Sequence, residues 1–406
     1  MRIEAPRGTH DVLPSDQPLW QKVTAEMERL CALYGYRRIQ TPVFEDVDLF
    51  QRTSGEGSDI VQKEMYVFED RSGRPLALRP EATAPICRAY LEHGMHREPQ
   101  PVKLYTLATF YRYDKPQRGR YREHYQLSVE SIGSADPAAD AEVIQLYDTL
   151  LRDLGVTRYD LRLNSIGDRE CRPAYLQRLN AWLDDHAGLL DDEAREKRTT
   201  SALRVFDVKN PELRAALEDA PKIGDSLCTA CAEHFAQVRA LLDVYGVGYT
   251  VDPTLVRGLD YYSRTAWEFL GPDESTQAST ISGGGRYDYL IEEIGGPSTP
   301  GVGFGAGIER LVLSLELEGI GAEEPRLDLF FASDAEGHRQ DVLQVMAAMR
   351  RRGLACDADY AGRSLKGQLT YGQRRANTIV IRTLDGWTVR RRGEHDRSGS
   401  TLEELL

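Results

Sequence analysis

YRYDKPQRGRYREHYQ, residues Tyr111 to Gln126, is the stretch on which the reading of this chain turns. It sets five cations, Arg112, Lys115, Arg118, Arg120 and Arg122, between two strand-like runs, with Pro116 and Gly119 punctuating the middle. The run before it, Leu104 to Tyr111, is apolar and aromatic, and the run after it, Glu123 to Ile132, alternates. This pattern predicts a hairpin with a long, arginine-studded loop, whereas ordinary hairpins turn in about two to five residues. Guanidinium forks match phosphate oxygens two at a time, so such a loop suits a polyphosphate, an RNA backbone, or both. Alternate side chains of a strand share a face, so Tyr125, Leu127 and Val129 point one way while His124, Gln126, Ser128 and Glu130 point the other. A row of hydrogen-bonding groups beside a phosphate loop reads as the floor of a polar ligand site. The plainer alternative is a strand with one solvated face.

Working outward, 406 residues allow two or three domains with real cores. The chain has no run of about 18 apolar residues, so no membrane span is expected. The opening MRIEAPRGTHDVLP lacks the apolar core of a signal peptide, which points to a cytosolic protein. The cysteines (31, 87, 171, 228, 231 and 356) are scattered and do not suggest a disulfide framework. Cys228 and Cys231 form a C-x-x-C with His234 three residues on. A structural zinc site takes four ligands and no second pair is spaced to complete one, so no metal site is expected and the two thiols read as the start of a helix.

A net charge of −13 argues against general coating of nucleic acid. Its distribution qualifies that: residues 326–406 carry 14 cations against 11 acids, a net of +3, which leaves −16 on the first 325 residues. An acidic body with a mildly basic tail domain and one basic loop fits local RNA contact.

Apolar spacing predicts a helix over 17–35 and another over 138–154. Tyr36–Phe44 reads as a strand broken by Pro42, and Tyr159–Asn164 as a further strand. From about 167 to 247 the chain is charged and helical without strand signals, as an insertion in the main domain would be. Gly319–Pro325 reads as a linker. Beyond it strands at Leu327–Ser333, Ala355–Tyr360, Thr378–Thr383 and Thr388–Arg392 alternate with helices at Gly337–Arg352 and Leu365–Ala376, which predicts a small α/β domain with a partly parallel sheet. The domains expected are therefore 1–325 and 326–406.

Other blocks carry chemistry. In LRPEATAP (78–85), Glu81 and Thr83 could hold an ammonium group, or Thr83 could simply cap the helix that follows. LVRGLDYY (255–262) gathers Arg257, Asp260, Tyr261 and Tyr262 around a glycine, and two adjacent buried phenols would need partners. SGGGRYD (282–288) allows close backbone approach to a ligand. GVGFGAGIER (301–310) formally contains G-x-G-x-x-A, but the turn-like GGPSTP before it excludes a dinucleotide fold. It reads as a glycine-rich strand leading into a helix that carries Arg310 toward a terminal phosphate.

Together these blocks resemble histidyl-tRNA synthetases, of the class II aminoacyl-tRNA synthetases, over essentially the whole chain. GYRRIQTPVFED (35–46), the Tyr111–Glu130 block and GVGFGAGIERL (301–311) resemble the three class motifs, while RGTHDVLP (7–14), RGLDYY (257–262) and GGGRYD (283–288) resemble blocks of the histidine enzyme. The resemblance implies an α+β fold: a catalytic antiparallel sheet flanked by helices, a helical insertion meeting the tRNA acceptor arm, and a C-terminal α/β anticodon-binding domain. It implies activation of L-histidine by ATP with Mg²⁺, transfer to tRNA(His), and a homodimer. By the same carry-over Glu81 and Thr83 bind the α-amino group of histidine, with Gln126, Glu130, Tyr261, Tyr262 and Tyr287 around its side chain. Arg112 and Arg257 are the catalytic pair at the α-phosphate. Asp114, Arg120 and His124 hold the nucleotide, Arg310 the γ-phosphate, and Lys115 and Gln117 meet the tRNA end. The chain departs from the family at His124, where an aromatic ring commonly stacks on adenine, and at Lys115, where arginine is frequent. Two alternatives compete: a non-catalytic, synthetase-like regulatory subunit of histidine biosynthesis, and a class II synthetase for threonine or proline.

Overall fold

The computed structural model describes residues 3–55, 58, 60–271, 280–334, 338–402, 404 and 405. Gly337, the expected start of a helix, lies outside them, as do Met1 and Arg2. Two units divide between Ala322 and Glu323. In the first, the strands are β1 (Arg37–Arg38), β2 (Phe44–Asp46), β3 (Val67–Glu69), β4 (Pro75–Leu78), β5 (Val102–Tyr111), β6 (Glu123–Ile132), β7 (Asp160–Ser165), β8 (Thr250–Val251), β9 (Ser263–Leu270), β10 (Thr280–Arg286) and β11 (Gly301–Gly307). One sheet runs β1-β5-β6-β11-β10-β9-β7-β8, and β2-β4-β3 make a small sheet beside it. Pairing through the middle is antiparallel, but β1 lies parallel to β5 and β8 parallel to β7. The expected antiparallel sheet is thus mixed at its edges. Each edge strand is two residues long and is separated in sequence from its partner by a long connection, which is what a parallel neighbour requires.

The alternation of residues 123–132 decides which face is core. Leu127 and Val129 join Leu161, Leu163, Trp267, Phe269 and Phe304 under helices Gln17–Leu33, Pro137–Leu154, Thr229–Tyr245 and Ile308–Leu317. The helices present Met27 and Leu30, Ile144 and Leu151, Val238 and Leu242, and Leu311 and Leu315. Each such side chain contributes about 1.5–3 kcal/mol by leaving water.

A buried ionic tie crosses this layer. Arg286 of β10 donates to the Asp140 carboxylate of the Pro137–Leu154 helix and, at 3.0 Å, to Asp288, and both Arg286 and Asp140 are fully buried. His234 Nε2, on the Thr229–Tyr245 helix, lies 3.2 Å from Asp140. Burial pushes the Asp140 carboxyl up, but Arg286 and His234 outweigh it and hold it at about 2.

The strand-free stretch behaves as two parts. Helices from Arg172 to Ala216 and the turns after them close over their own core of Tyr175, Leu179, Leu183, Val205, Leu213 and Ile223. The Thr229–Tyr245 helix instead returns to the main core through Phe235, Val238 and Leu242.

The second unit has strands β12 (Leu327–Ser333), β13 (Cys356–Ala358), β14 (Ala376–Thr383), β15 (Gly386–Arg391) and β16 (Arg397–Gly399), ordered β13-β12-β14-β15-β16. β12 is parallel to both neighbours, and the last two pairings are antiparallel. Helices Arg339–Arg351 and Leu365–Arg375 connect the parallel strands.

Candidate active site

On the face of the main sheet opposite that core, β6 turns His124, Gln126 and Ser128 into a cavity of about 310 Å³. Its floor is backbone. Register sets Gly305 opposite Ser128 and Gly283, and Gly303 opposite Glu130 and Gly285, so β10 and β11 contribute no side chains of their own at these positions. A Cβ on Gly283 would overlap the Arg257 guanidinium, and one on Gly303 would overlap the Glu130 carboxylate and the Val129 carbonyl. The glycine-rich runs at 283–285 and 301–307 are thus two adjacent antiparallel strands.

Four arginines from three distant segments line this space: Arg112 and Arg120 from the hairpin, Arg257 from the loop before β9, and Arg310 from the helix after β11. Backbone and acid partners hold each one. Arg112 Nε donates to the Pro80 carbonyl at 2.8 Å. Arg310 donates to Gly119 O at 3.0 Å and Thr280 O at 2.5 Å, which ties the loop tip to the helix. Arg120 pairs with Asp114 and lies 3.7 Å from Glu64, and Arg257 pairs with Glu268 of β9. The cations still feel one another. Burial lowers Arg310 to about 10, helped by Arg120 and Arg112 and, more weakly, Arg257. Burial also holds the His124 ring neutral with a pKa of about 3, again helped by Arg112 and Arg310. An arginine held down by burial and by its cationic neighbours gains from an anion brought in beside it, and a polyphosphate is such an anion.

The other half of the cavity is acidic and phenolic. Glu81, fully enclosed, accepts the backbone N–H groups of Thr83 (2.6 Å) and Ala84 (2.9 Å) at the start of the Thr83–Glu92 helix. Glu81 therefore caps that helix, and the alternative reading of Thr83 as its cap does not hold. The Thr83 hydroxyl instead donates to Glu130 Oε1 at 2.8 Å, and Tyr287 donates to Glu130 Oε2 at 2.6 Å. Tyr261 and Tyr262 pack with ring centroids 4.7 Å apart, and the Tyr261 hydroxyl engages Thr83. Burial pushes Glu81 up, and it pushes Glu130 up to about 8 against the two hydroxyl donors, with Glu81 adding to the rise.

That shift carries a stability prediction. A carboxyl whose native pKa exceeds its unfolded value binds more protons when folded, so stability falls as pH rises through the window between the two values, here from about pH 5 to about pH 8. Glu130→Gln keeps the shape and one oxygen acceptor, offers an amide N–H to the other hydroxyl oxygen, and cannot ionise. The parent is expected to lose more of its melting temperature between those pH values than the variant, and equal losses would count against a buried, protonated Glu130.

Of the expected site residues, Glu81, Thr83, Arg112, Asp114, Arg120, His124, Gln126, Arg257, Tyr261, Tyr262, Tyr287 and Arg310 line this one cavity. Glu130 lies on the same face, with its carboxylate over Gly303; its two oxygens each accept one protein hydroxyl, and it is not among the residues that line the open cavity. Lys115 and Gln117 are exposed on the outer limb of the loop and do not line the cavity. Sequence reasoning missed Glu268 and Glu309, which do. The signal for Glu268 was present, as a charge between Trp267 and Phe269 in the same alternation that β6 shows. The opening RGTHDVLP braces the hairpin: the Arg122 N–H donates to Gly8 O at 2.8 Å, and the His10 ring packs on Tyr121 at 4.3 Å. Cys228 and Cys231 also find a second pair, Asp168 and Cys171, contrary to the expectation that none completes the set.

The family model described as "Histidyl-tRNA synthetase" matches residues 8–311. A histidine–tRNA ligase of Dehalococcoides mccartyi is 47% identical over 93% of this chain and 89% of its own length. One from Syntrophomonas wolfei is 42% identical over 100% of this chain and 98% of its own. Among solved structures, apo histidyl-tRNA synthetase of S. aureus superposes with a TM-score of 0.83 at 33% identity, covering 100% of this chain and 98% of that one. With the Tyr111–Glu130 and 301–311 blocks opening onto one polar cavity, and relatives matched nearly end to end, the chain belongs to the histidyl-tRNA synthetase family.

Proposed function

We infer that this cavity joins L-histidine to ATP as histidyl-adenylate and then passes the histidyl group to the 3′ end of tRNA(His). The convergence of Arg112, Arg120, Arg257 and Arg310 on one cavity over the glycine-rich strands β10 and β11 is the observation that carries this reading. ATP lies along the arginine half. Arg112 and Arg257 meet the α-phosphate, Arg310 the γ-phosphate, and Asp114, Arg120 and the neutral His124 ring the rest of the nucleotide. Histidine occupies the acidic half. Its ammonium group faces Glu81 and Thr83, and its imidazole sits among Gln126, Tyr261, Tyr262 and Tyr287. Glu130 acts one step back by fixing Thr83 and Tyr287.

A carboxylate oxygen of histidine attacks the α-phosphorus as the bond to the β-phosphate oxygen breaks, and pyrophosphate leaves. Charge grows on the oxygens around that phosphorus, and guanidinium groups already held in place stabilise it more in the transition state than before it. A ribose hydroxyl of the tRNA end then attacks the carbonyl carbon, and AMP leaves. Carboxylates of Glu268 and Glu309 are the oxygen donors suited to a Mg²⁺ ion arriving with ATP, and such an ion neutralises phosphate charge. Hydrogen bonds to both imidazole nitrogens make the site selective, because an isostere lacking them leaves buried polar groups unpaired. Residues 326–406, net +3, are proposed to meet the anticodon, and Lys115 and Gln117 on the outer limb of the loop to meet the acceptor end. We place the reaction in the cytosol, in a homodimer; among the described residues no helix is long and apolar enough to cross a membrane.

The regulatory-subunit alternative lacks support of the same kind. A structure titled as an ATP phosphoribosyltransferase regulatory subunit/histidyl-tRNA synthetase from Bacillus halodurans superposes at a TM-score of 0.68 with 22% identity, a likeness of fold alone. The deciding assay is amino-acid-dependent ATP–pyrophosphate exchange across all twenty amino acids. Histidine alone is expected to drive it, and silence with histidine would sink the proposal.

A further inference from the structure

Outside the cavity, four potential ligands meet where the helical segment leaves the sheet and where it rejoins it. Asp168 and Cys171 follow β7, with Cys171 at the start of the Arg172–Asp185 helix. Cys228 and Cys231 open the Thr229–Tyr245 helix. Three sulfurs and one carboxylate oxygen lie within 4.8 Å of one another. Ligand atoms around a tetrahedral zinc with bonds of roughly 2.3 Å stand about 3.8 Å apart, so a small contraction completes the shell. Both pairs have the same x-x spacing, D-x-x-C and C-x-x-C, which is the two-knuckle spacing of structural zinc sites with one thiolate replaced by a carboxylate.

The surroundings are arranged around these atoms. The Asp168 N–H donates to Cys171 Sγ at 3.4 Å, and Asp168 Oδ1 accepts the N–H groups of Glu170 (3.0 Å) and Cys171 (3.3 Å). Arg264 stands 3.6 Å from the other carboxylate oxygen, where it offsets an anionic ligand set as an outer partner. Gly167 has φ of +64°, and a Cβ there would lie 2.7 Å from Cys171 Sγ, so glycine keeps the sulfur clear. Asp168, Cys171 and Cys231 are buried, while Cys228 is partly exposed and leaves a way in.

We propose that Asp168, Cys171, Cys228 and Cys231 bind one zinc ion as a closed structural site that staples the two ends of the helical segment together. Three soft thiolates in a tetrahedral set favour zinc over magnesium or calcium. The ion closes the loop from Cys171 to Cys228, whose separate core makes it the part of the first unit most able to loosen by itself. Arg172, beside the site, donates to Tyr262 O at 2.7 Å, so the staple also steadies one wall of the cavity.

Elemental analysis of the full-length protein, purified without chelator, is expected to give one zinc per chain. After removal of zinc under reducing conditions, one equivalent of Co²⁺ should produce a sulfur-to-cobalt charge-transfer band in the near ultraviolet and tetrahedral d–d bands in the visible. Asp168→Cys adds a fourth thiolate and should raise the charge-transfer intensity by about a third, whereas Cys231→Ser should lower it by a similar fraction or abolish it. Metal removal should speed proteolysis within residues 172–227 by about tenfold, with the sheet strands protected. The proposal is overturned if the reduced parent gives no cobalt–sulfur band, if Asp168→Cys and Cys231→Ser both leave the band unchanged, or if the purified thiols prove to be paired as disulfides. The parent titration decides the matter even if a serine variant fails to fold.

Discussion

Arg257→Lys is expected to lower the rate of adenylate formation by roughly 10³-fold while changing histidine affinity little. In the free protein the Arg257 guanidinium lies over Gly283 and is engaged by Glu268. A planar fork can keep that acid on one edge and present the other to phosphate oxygens. Lysine offers one compact charge and must choose between them. Because the demand on this group rises as charge builds at the α-phosphorus, the loss should fall on kcat, with little change in KM for histidine. Exchange kinetics combined with calorimetric histidine titration separate the two effects. An unchanged exchange rate would move the catalytic cation elsewhere among Arg112, Arg120 and Arg310.

The second large effect is on stability. Arg286→Leu is expected to cost about 3–5 kcal/mol, because it strands the Asp140 carboxylate in a dry interior without the cation that neutralises it, leaving the His234 ring 3.2 Å away. Replacing both members with leucine should recover much of the loss, since a buried pair is mainly costly to break rather than valuable to keep. Urea unfolding of the parent, both single variants and the double variant measures the coupling. A single-variant loss below about 1 kcal/mol, or strict additivity, would refute the view that these two charges compensate each other. Since Arg286 sits on β10 beside the glycine floor, lost exchange activity in this variant would be traced first to its folded fraction.

These two arginines show what the sequence could and could not disclose. The hairpin, the polar face of β6 and the glycine-rich strand before Arg310 were legible because period-two alternation and turn residues are local signals. Arg286 sits in a block whose glycines do border the ligand space, yet its own partner is 146 positions away and only the fold joins them. Alternation placed Glu130 on the correct face, but it says nothing of partners, and the carboxylate accepts from Thr83 and Tyr287, distant in sequence. In an irregular loop no period distinguishes inward from outward residues, so only the family resemblance, and not the local pattern, set Lys115 and Gln117 apart from Arg120. The parallel edges escaped because two-residue strands leave no pattern. Asp168 went unpaired with the cysteines because a search for thiols passes over a carboxylate.

The bare centre of β10 and β11 limits how this enzyme's choice of amino acid could be altered. Backbone atoms cannot be trimmed, so extra room can come only from the side chains that fold over those glycines, among them Tyr262 over Gly285, Glu130 over Gly303 and Gln126 over Gly305. An engineer seeking acceptance of a bulkier amino acid is left with the phenol rings and the glutamine that fence the space from the sides, or with shifting whole strands.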